Sequence, residues 1–292
     1  MTEEVKHKVG RFYNQVGWQQ EADGLYQNAQ YEDLRDVSKE YIARAHARVG
    51  EHLNQTGEYL LDAGSGPVQY EAYLAYSRGY KKRVCLDLSL VAMEEARKNL
   101  GEHGLYVVGD VVHLPFKPEC FDGIVALHTI HHVPVEEKAT CYQGLYACLK
   151  PGSRMVTVDG WHEFGLRRLA GWMIAHFRKN NPVHPTQPAQ PAAEKKANPK
   201  PNSPAGTFVV KNSAKWLKST LGGRLPFEIL PWRSVSVSWL RAVIKNNENG
   251  KKWLRCLSRL EERFPHFFGE NGQYPMIVFT KPAAETRGQQ EE

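Results

Sequence analysis

At 292 residues with 41% hydrophobic and 24% charged residues, the chain is long enough to bury a sizeable core as one enlarged domain. No apolar run reaches the roughly 18 residues of a membrane helix, and five cysteines without a C-x-x-C pair or a secretory leader predict reduced thiols in a cytoplasmic protein. The net charge of +6 is spread without a Lys/Arg tract; it suits plain solubility, mildly favours an anionic or phosphate-bearing partner, and does not by itself exclude nucleic acid, a partner against which the chain as a whole argues.

Residues 3–53 alternate aromatic, apolar and charged positions at helical spacing and predict helices that precede a sheet, the last over 38–53 with Ser38 as its N-cap. Within them lies RFYNQVGW, 11–18. Residues 58–89 then read as strand, glycine turn, helix and strand. Tyr59, Leu60 and Leu61 form an apolar run that ends in Asp62, and Gly64 and Gly66 let the backbone turn and approach a ligand with no Cβ in the way. A helix over 69–78 follows, then a second apolar run, 84–86, which closes on Asp87. That carboxylate lies roughly 20 residues past the glycines, the distance at which such folds bind ribose hydroxyls. The pattern predicts a nucleoside site in a parallel α/β sheet. A pyrophosphate-binding turn needs a third glycine, whereas Gly64-Ser65-Gly66 runs into Pro67, Val68 and Gln69. Asp62 would also repel pyrophosphate, and suits a ligand that carries an amino group and a sulfonium.

Leu90, Met93, Ala96 and Leu100 recur at helical spacing and predict a crossover helix, after which 106–108 form a third strand that stops at Gly109-Asp110. Asp110 alone would read as a turn cap. The segment 121–127 is a buried strand, and the residues after it emerge at the sheet's carboxyl edge, where open α/β sheets bind ligands. His128, His131 and His132 stand there. Three histidines within five residues are hard to explain by packing, and no Cys or carboxylate is spaced to complete a metal site with them. A helix over 136–149 and the turn Lys150-Pro151-Gly152 lead to a fifth strand, 154–159. Asp159 falls at its ligand end, placed to orient a histidine or accept a proton. Trp161 and His162 either line an acceptor pocket or cover the rim.

An amphipathic helix over 164–179 carries Leu166, Leu169, Trp172, Met173, Ala175 and Phe177 among Arg167, Arg168, Arg178 and Lys179. It either covers a core or meets an anionic or lipid-linked acceptor. Residues 181–206, rich in Pro, Ala and Lys, lack the apolar surface to order themselves and predict a flexible loop. Core pattern resumes with a helix over 213–221, a strand over 227–235, helices over 237–244 and 251–264, and a final strand over 274–280. A polar tail, 282–292, follows.

The ordered phrases LDAGSGP, CLDLS, GDVVHLPF and FDGIVALHTIHHV, with LKPG after them, resemble the motif series of class I SAM-dependent methyltransferases over 59–159. The family often has glycine where this chain has Val68. The resemblance implies an α/β, Rossmann-like seven-stranded sheet with helices on both faces and an antiparallel last strand. It implies S-adenosyl-L-methionine (SAM) as cofactor, held by Asp62, Ala63, Gly64, Ser65, Gly66, Asp87, Leu88, Asp110, Val111, His128 and Tyr13. Asp110 would accept the adenine amino group, and Tyr13 and Trp18 would close over the cofactor unless they bury against the sheet's flank. The expected organisation is a helical lid at 1–53, the SAM-binding core at 54–160, a substrate insertion at 161–225, completion of the sheet at 226–281, and the tail.

Methyl transfer is an in-line displacement, so orientation supplies much of the rate and a hydroxyl acceptor must lose its proton. Neutral imidazole suits that task near pH 7, so His131 or His132 is the expected base and Asp159 the orienting acid. This set is similar to that of small-molecule and sugar O-methyltransferases of bacterial natural-product pathways. A hydroxyl of a sugar, glycan precursor or secondary metabolite is the expected acceptor. The alternatives are a macromolecular or lipid-linked acceptor, against which stands the lack of an N-P-P-Y-type tetrad or RNA-binding module, and a non-catalytic SAM-binding regulator.

Overall fold

Near-continuous burial along the strands decides the architecture, since successive residues of a strand point to opposite faces and both faces must therefore be covered. In the chain's computed structural model, which describes residues 3–18, 32–180 and 208–283, the strands are β1 (Gly57–Ala63), β2 (Tyr80–Asp87), β3 (Gly104–Val108), β4 (Phe121–Leu127), β5 (Leu149–Val158), β6 (Phe227–Arg233) and β7 (Tyr274–Thr280). Leu61, Ile124, Ala126, Met155, Ile277 and Phe279 bury on one face. Against them pack Cys141, Tyr142 and Leu145 of α5 (Val135–Cys148) and Leu217 and Leu221 of α7 (Ala214–Leu221). Their neighbours Leu60, Val125, Val156 and Val278 bury on the other face against Ala45 and Val49 of α2 (Asp36–Glu51).

The sheet order is β3-β2-β1-β4-β5-β7-β6. β1 to β5 run parallel, and β7 is antiparallel to both β5 and β6. The final strand thus lies between β5 and β6, which brings the end of β6 and the start of β7 to the same edge as the carboxyl ends of β1, β2, β4 and β5. The order reverses between β1 and β4, the switch point at which such sheets open a crevice.

Several boundaries differ from the sequence reading. α2 begins two residues before Ser38, whose hydroxyl donates to Asp33 Oδ2 (2.6 Å) and caps nothing; the cap position is Arg35. α3 is only Glu71–Ala75. α4 (Leu90–Leu100) buries Met93 and Ala96 but leaves Leu90 exposed. α6 (Arg167–Asn180) packs Ala170, Met173 and Ile174 against α8 (Val237–Val243), so Leu169 and Trp172 face solvent. α9 (Glu248–Arg263) starts at a side-chain cap, Asn247 Oδ1 accepting from Gly250 N (3.0 Å), and a further helix, α10 (Pro265–Asn271), opens on a proline. The loop expected at 181–206 lies outside the described residues, as does the tail from residue 284 on.

Glu261 of α9 ties the second face together. Its carboxylate accepts from Arg48 (2.7 Å), Tyr41 Oη (2.6 Å) and the Ser234 backbone N–H (2.9 Å), linking α2, α9 and the end of β6. Glu261 is wholly buried, and such a charge persists in a core only when every acceptor site is used.

Candidate active site

The turn after β1 is built for close approach of a ligand. Gly64 and Gly66 hold φ of 71° and 56°, the left-handed region that glycine enters at no steric cost. The Gly64 N–H donates to Leu86 O (2.7 Å) and the Gly66 N–H to Asp87 Oδ2 (3.0 Å), which locks the turn to the end of β2. Val68 follows at φ 52°, so a β-branched side chain occupies a conformation that favours glycine.

Asp87 fits hydroxyl recognition. Its Oδ1 takes the Ser89 N–H (2.9 Å) and its Oδ2 the Gly66 N–H, and the Leu88 N–H adds a third donor, which leaves about one of the carboxylate's four lone-pair sites for a ligand. Burial raises its pKa to about 6, against the opposing backbone hydrogen bonds. Leu88, next to it, is half-buried, while Ala63 and Val111 are core residues on the main apolar face. Asp62 is buried and bound through Oδ2 to Arg83, whose Nε lies at 3.1 Å and whose second guanidinium nitrogen is closer still. The carboxylate expected to meet an amino group therefore has an internal cation, and removing one partner of such a pair costs about 3–5 kcal/mol. Asp110 caps the turn after β3: Oδ1 accepts from Val112 N (2.9 Å) and Oδ2 lies 3.0 Å from His113 Nδ1.

Residues 13–18 bridge the two sides of this crevice. After α1 (Glu3–Phe12) the chain makes a π-helical turn, Tyr13–Gly17, a widened geometry common at functional sites. The Tyr13 and Trp18 rings stack at 5.1 Å, and a Cβ on Gly66 would come within 2.8 Å of the Trp18 indole. The Ser89 hydroxyl donates to Asn14 Oδ1 (2.6 Å) and Tyr13 Oη lies 2.8 Å from His132 Nε2.

The histidines occupy the loop after β4. His128, at φ 55°, sets its ring 5.0 Å from Trp232 and 6.1 Å from Tyr274. Thr129 donates to Gly64 O (3.2 Å), so the loop is pinned to the glycine turn. His131 Nδ1 lies 2.7 Å from Asp159 Oδ1, and His132 Nδ1 lies 2.7 Å from Phe208 O. A carbonyl only accepts, so His132 Nδ1 carries the proton and neutral His132 accepts from Tyr13 through Nε2. His131 differs. With Asp159 ionised, Nδ1 donates to the carboxylate and the Nε2 lone pair is left for chemistry. Burial pulls the pKa of His131 down to about 3, with Lys211 and Lys138 adding to it, and holds the imidazole neutral. Burial likewise raises Asp159 to about 6.

Segment 208–212 straps this loop. The Val210 N–H donates to His131 O (2.7 Å), and the wholly buried Lys138 of α5 donates to Val210 O and to Asn212 Oδ1 (2.9 Å). Sequence reading singled out neither Thr129 nor Lys138 nor the strap. The signal for Lys138 is its spacing of three, four and seven from Cys141, Tyr142 and Leu145, a lysine on a buried stripe; the strap has no local signal. Trp161 is buried with Nε1 donating to Gly269 O (2.9 Å), so it covers the rim, and His162 is exposed. Among the described residues no three His, Cys, Asp or Glu side chains converge as a metal-holding group.

A family model described as a methyltransferase domain matches residues 61–157. O-methyltransferase resE of Aspergillus sclerotiorum is 26% identical over 142 residues, 47% of this chain and 52% of that protein. Methyltransferase GfsG of Streptomyces halstedii is 26% identical over 170 residues, 54% of this chain and 60% of that protein. The chain thus spans about half to three-fifths of the length of these relatives. Among solved structures, geranyl diphosphate C-methyltransferase from Streptomyces coelicolor A3(2), in complex with Mg2+, geranyl diphosphate and S-adenosyl-L-homocysteine, superposes with a TM-score of 0.54 at 14% identity, covering 96% of this chain and 99% of that one. At that identity the likeness is one of fold.

Proposed function

On the premise that this chain belongs to the class I SAM-dependent methyltransferases, we propose that it methylates a hydroxyl of a small molecule with His131 as the general base. The observation that carries this reading is the 2.7 Å contact between His131 Nδ1 and Asp159 Oδ1 on a loop pinned to the glycine turn. It leaves Nε2 of a neutral imidazole as proton acceptor, and the Asp159 carboxylate stabilises the imidazolium as it forms. His132 is the weaker candidate because both its nitrogens are engaged, by Phe208 O and by Tyr13.

SAM, when bound, supplies an electrophilic methyl group on a sulfonium. The residues that would hold it are the Gly64-Ser65-Gly66 backbone beside Ala63, Asp87 with Leu88 for hydroxyls, Asp110 with Val111 for the nucleobase, and Tyr13 and Trp18 as the cover. His128 forms part of the wall between donor and acceptor. In this reading Asp62 acts through Arg83, fixing the strand end from which the turn departs. A small-molecule acceptor accords with the kinds of reaction named for the relatives, among which both O- and C-methylation occur; His131 serves either, since an acidic carbon also yields its proton to a base.

The test uses labelled SAM and a panel of hydroxylated and carbon-acid acceptors. His131→Ala should lower kcat by about 10²-fold or more while affinity for S-adenosylhomocysteine stays within a factor of two or three. Undiminished turnover in that variant removes His131 as base.

A further inference from the structure

Two cations lie against one tyrosine at the carboxyl edge, beyond the residues assigned to the donor. Arg233, the last residue of β6, is in register with Tyr274, the first of β7. Its guanidinium carbon sits 4.9 Å from the Tyr274 ring and 5.0 Å from that of Trp232. Lys211 of the strap brings Nζ to 5.9 Å from the same Tyr274 ring. A Cβ built on Gly160, the residue after Asp159, would fall 3.1 Å from that Nζ. The His128 ring touches both Trp232 and Tyr274, and His131 lies next along the wall, ring centroids 6.5 Å apart. The edge therefore runs from Asp159 through His131 and His128 to the Trp232–Tyr274 pair and Arg233, with Lys211 reaching both Gly160 and the Tyr274 ring.

Internal partners do not use up these charges. Arg233 is 2% exposed and bonds Glu32 Oε2 through one terminal nitrogen (3.2 Å), yet its Nε has no hydrogen-bond partner among the described residues. A buried guanidinium N–H is seldom left without an acceptor. Lys211 is exposed and pairs with no carboxylate among the described residues. Glu32 and Asp159 stand against Arg233, Lys211 and Lys138, so the wall carries an excess of one positive charge when all are ionised. A purely structural Arg233–Glu32 pair would explain neither the orphaned Nε nor a lysine drawn over the same aromatic ring.

We propose that the acceptor carries an anionic group, a carboxylate or a phosphate, held by Lys211 and Arg233 along the Tyr274 ring while its reacting group faces His131. Guanidinium and ammonium donors bind paired anionic oxygens through charge-assisted hydrogen bonds. The half-buried Tyr274 ring supplies a flat apolar side for the body of the molecule, backed by the buried Trp232 ring 6.0 Å away. The proposal rests on the methyltransferase reading for the reacting end, but the anion site is measurable without it.

Calorimetric titrations of the full chain with benzoate and, separately, with inorganic phosphate, each with and without saturating S-adenosylhomocysteine, test it. Saturable binding of one probe is expected, weakened tenfold or more in Lys211→Met and in Arg233→Gln and unchanged in Arg168→Gln on α6. Benzoate alone identifies a carboxylate, phosphate alone a phosphate. If Arg233→Gln does not fold, the exposed Lys211→Met decides. Binding of neither probe, binding indifferent to Lys211→Met, or loss in Arg168→Gln instead overturns the anion site. Binding of a probe by a chain that takes up no S-adenosylhomocysteine leaves the anion site standing and removes the methyltransferase reading alone.

Discussion

Val68 shows how one residue weighs packing against backbone strain. Its φ of 52° costs roughly 1–2 kcal/mol for a side chain with a Cβ, while its buried isopropyl group, 1% exposed beside Cys85, Ala92 and Met93, contributes about 1.5–3 kcal/mol. The two nearly offset each other. Val68→Ala loses methyl groups and keeps most of the strain, whereas Val68→Gly loses the methyls and relieves it. The glycine variant should therefore be at least as stable as the alanine variant, the reverse of the usual order, as read from urea midpoints. Asp159 gives the second prediction at this scale. Its folded pKa of about 6 means that the carboxylate which orients His131 is present above pH 6 and lost as pH falls through it. kcat should drop on that limb, and Asp159→Asn should cost about 10²-fold or more with the limb abolished. Sequence reading had found both histidines but not which one keeps a free nitrogen, because that depends on Phe208 O and Tyr13, 76 and 119 residues away in the chain.

At the scale of elements, the strap at 208–212 and the turn at 13–18 hold the histidine loop from two sides. Lys138 is the peg of the strap. Its ammonium is buried, which lowers its pKa to about 8, and its charge in turn holds Asp159 below where burial alone would put it. Lys138→Met should loosen the strap and lower kcat about tenfold; it should also move the acid limb of the pH–rate profile to higher pH. A stability defect alone would leave that limb in place. The two aromatics at 13–18 read in the sequence either as a cover or as packing on the sheet's flank; Trp18 packs beside Val68, Cys85, Ala92 and Met93 and against Gly66, and Tyr13 reaches His132. α10 went unread, since the sequence reading assigned nothing between the helix ending at 264 and the strand from 274; Trp161 and β6 pack against it.

For the whole molecule, burial of four histidines sets the response to acid. His128, His131 and His132 have pKa values of about 3 and His46 about 4, in each case mainly through desolvation, against roughly 6.5 in an unfolded chain. Below about pH 6.5 the unfolded chain takes up protons that the folded one refuses, so these groups reduce stability as pH falls toward 4. Asp87 and Asp159, raised to about 6, act in the opposite sense between pH 6 and 4. His52, also lowered by burial, joins the histidines and Glu32, also raised by burial, joins the carboxylates, so the histidines still outnumber them and a net loss remains. The urea midpoint should be lower at pH 5 than at pH 7; an equal or higher midpoint would show that these rings titrate in the folded state.

The sequence by itself determined the sheet, the donor crevice and the stretch that carries the histidines. Those features are written locally, as alternating apolar runs, as glycines where the backbone must turn with positive φ, and as carboxylates at strand ends. Only the tertiary structure decided the partners. That Asp62 belongs to Arg83 follows from the parallel pairing of β1 with β2; that His131 rather than His132 has an open nitrogen follows from bringing Phe208 and Tyr13 to the loop at 128–132; and that Lys211 and Arg233 share Tyr274 follows from placing β7 beside β6 and returning the segment at 208–212 over that edge. Contacts between residues 20 to 120 positions apart leave no periodic trace in a chain, because their register is set by the packing of the elements that carry them.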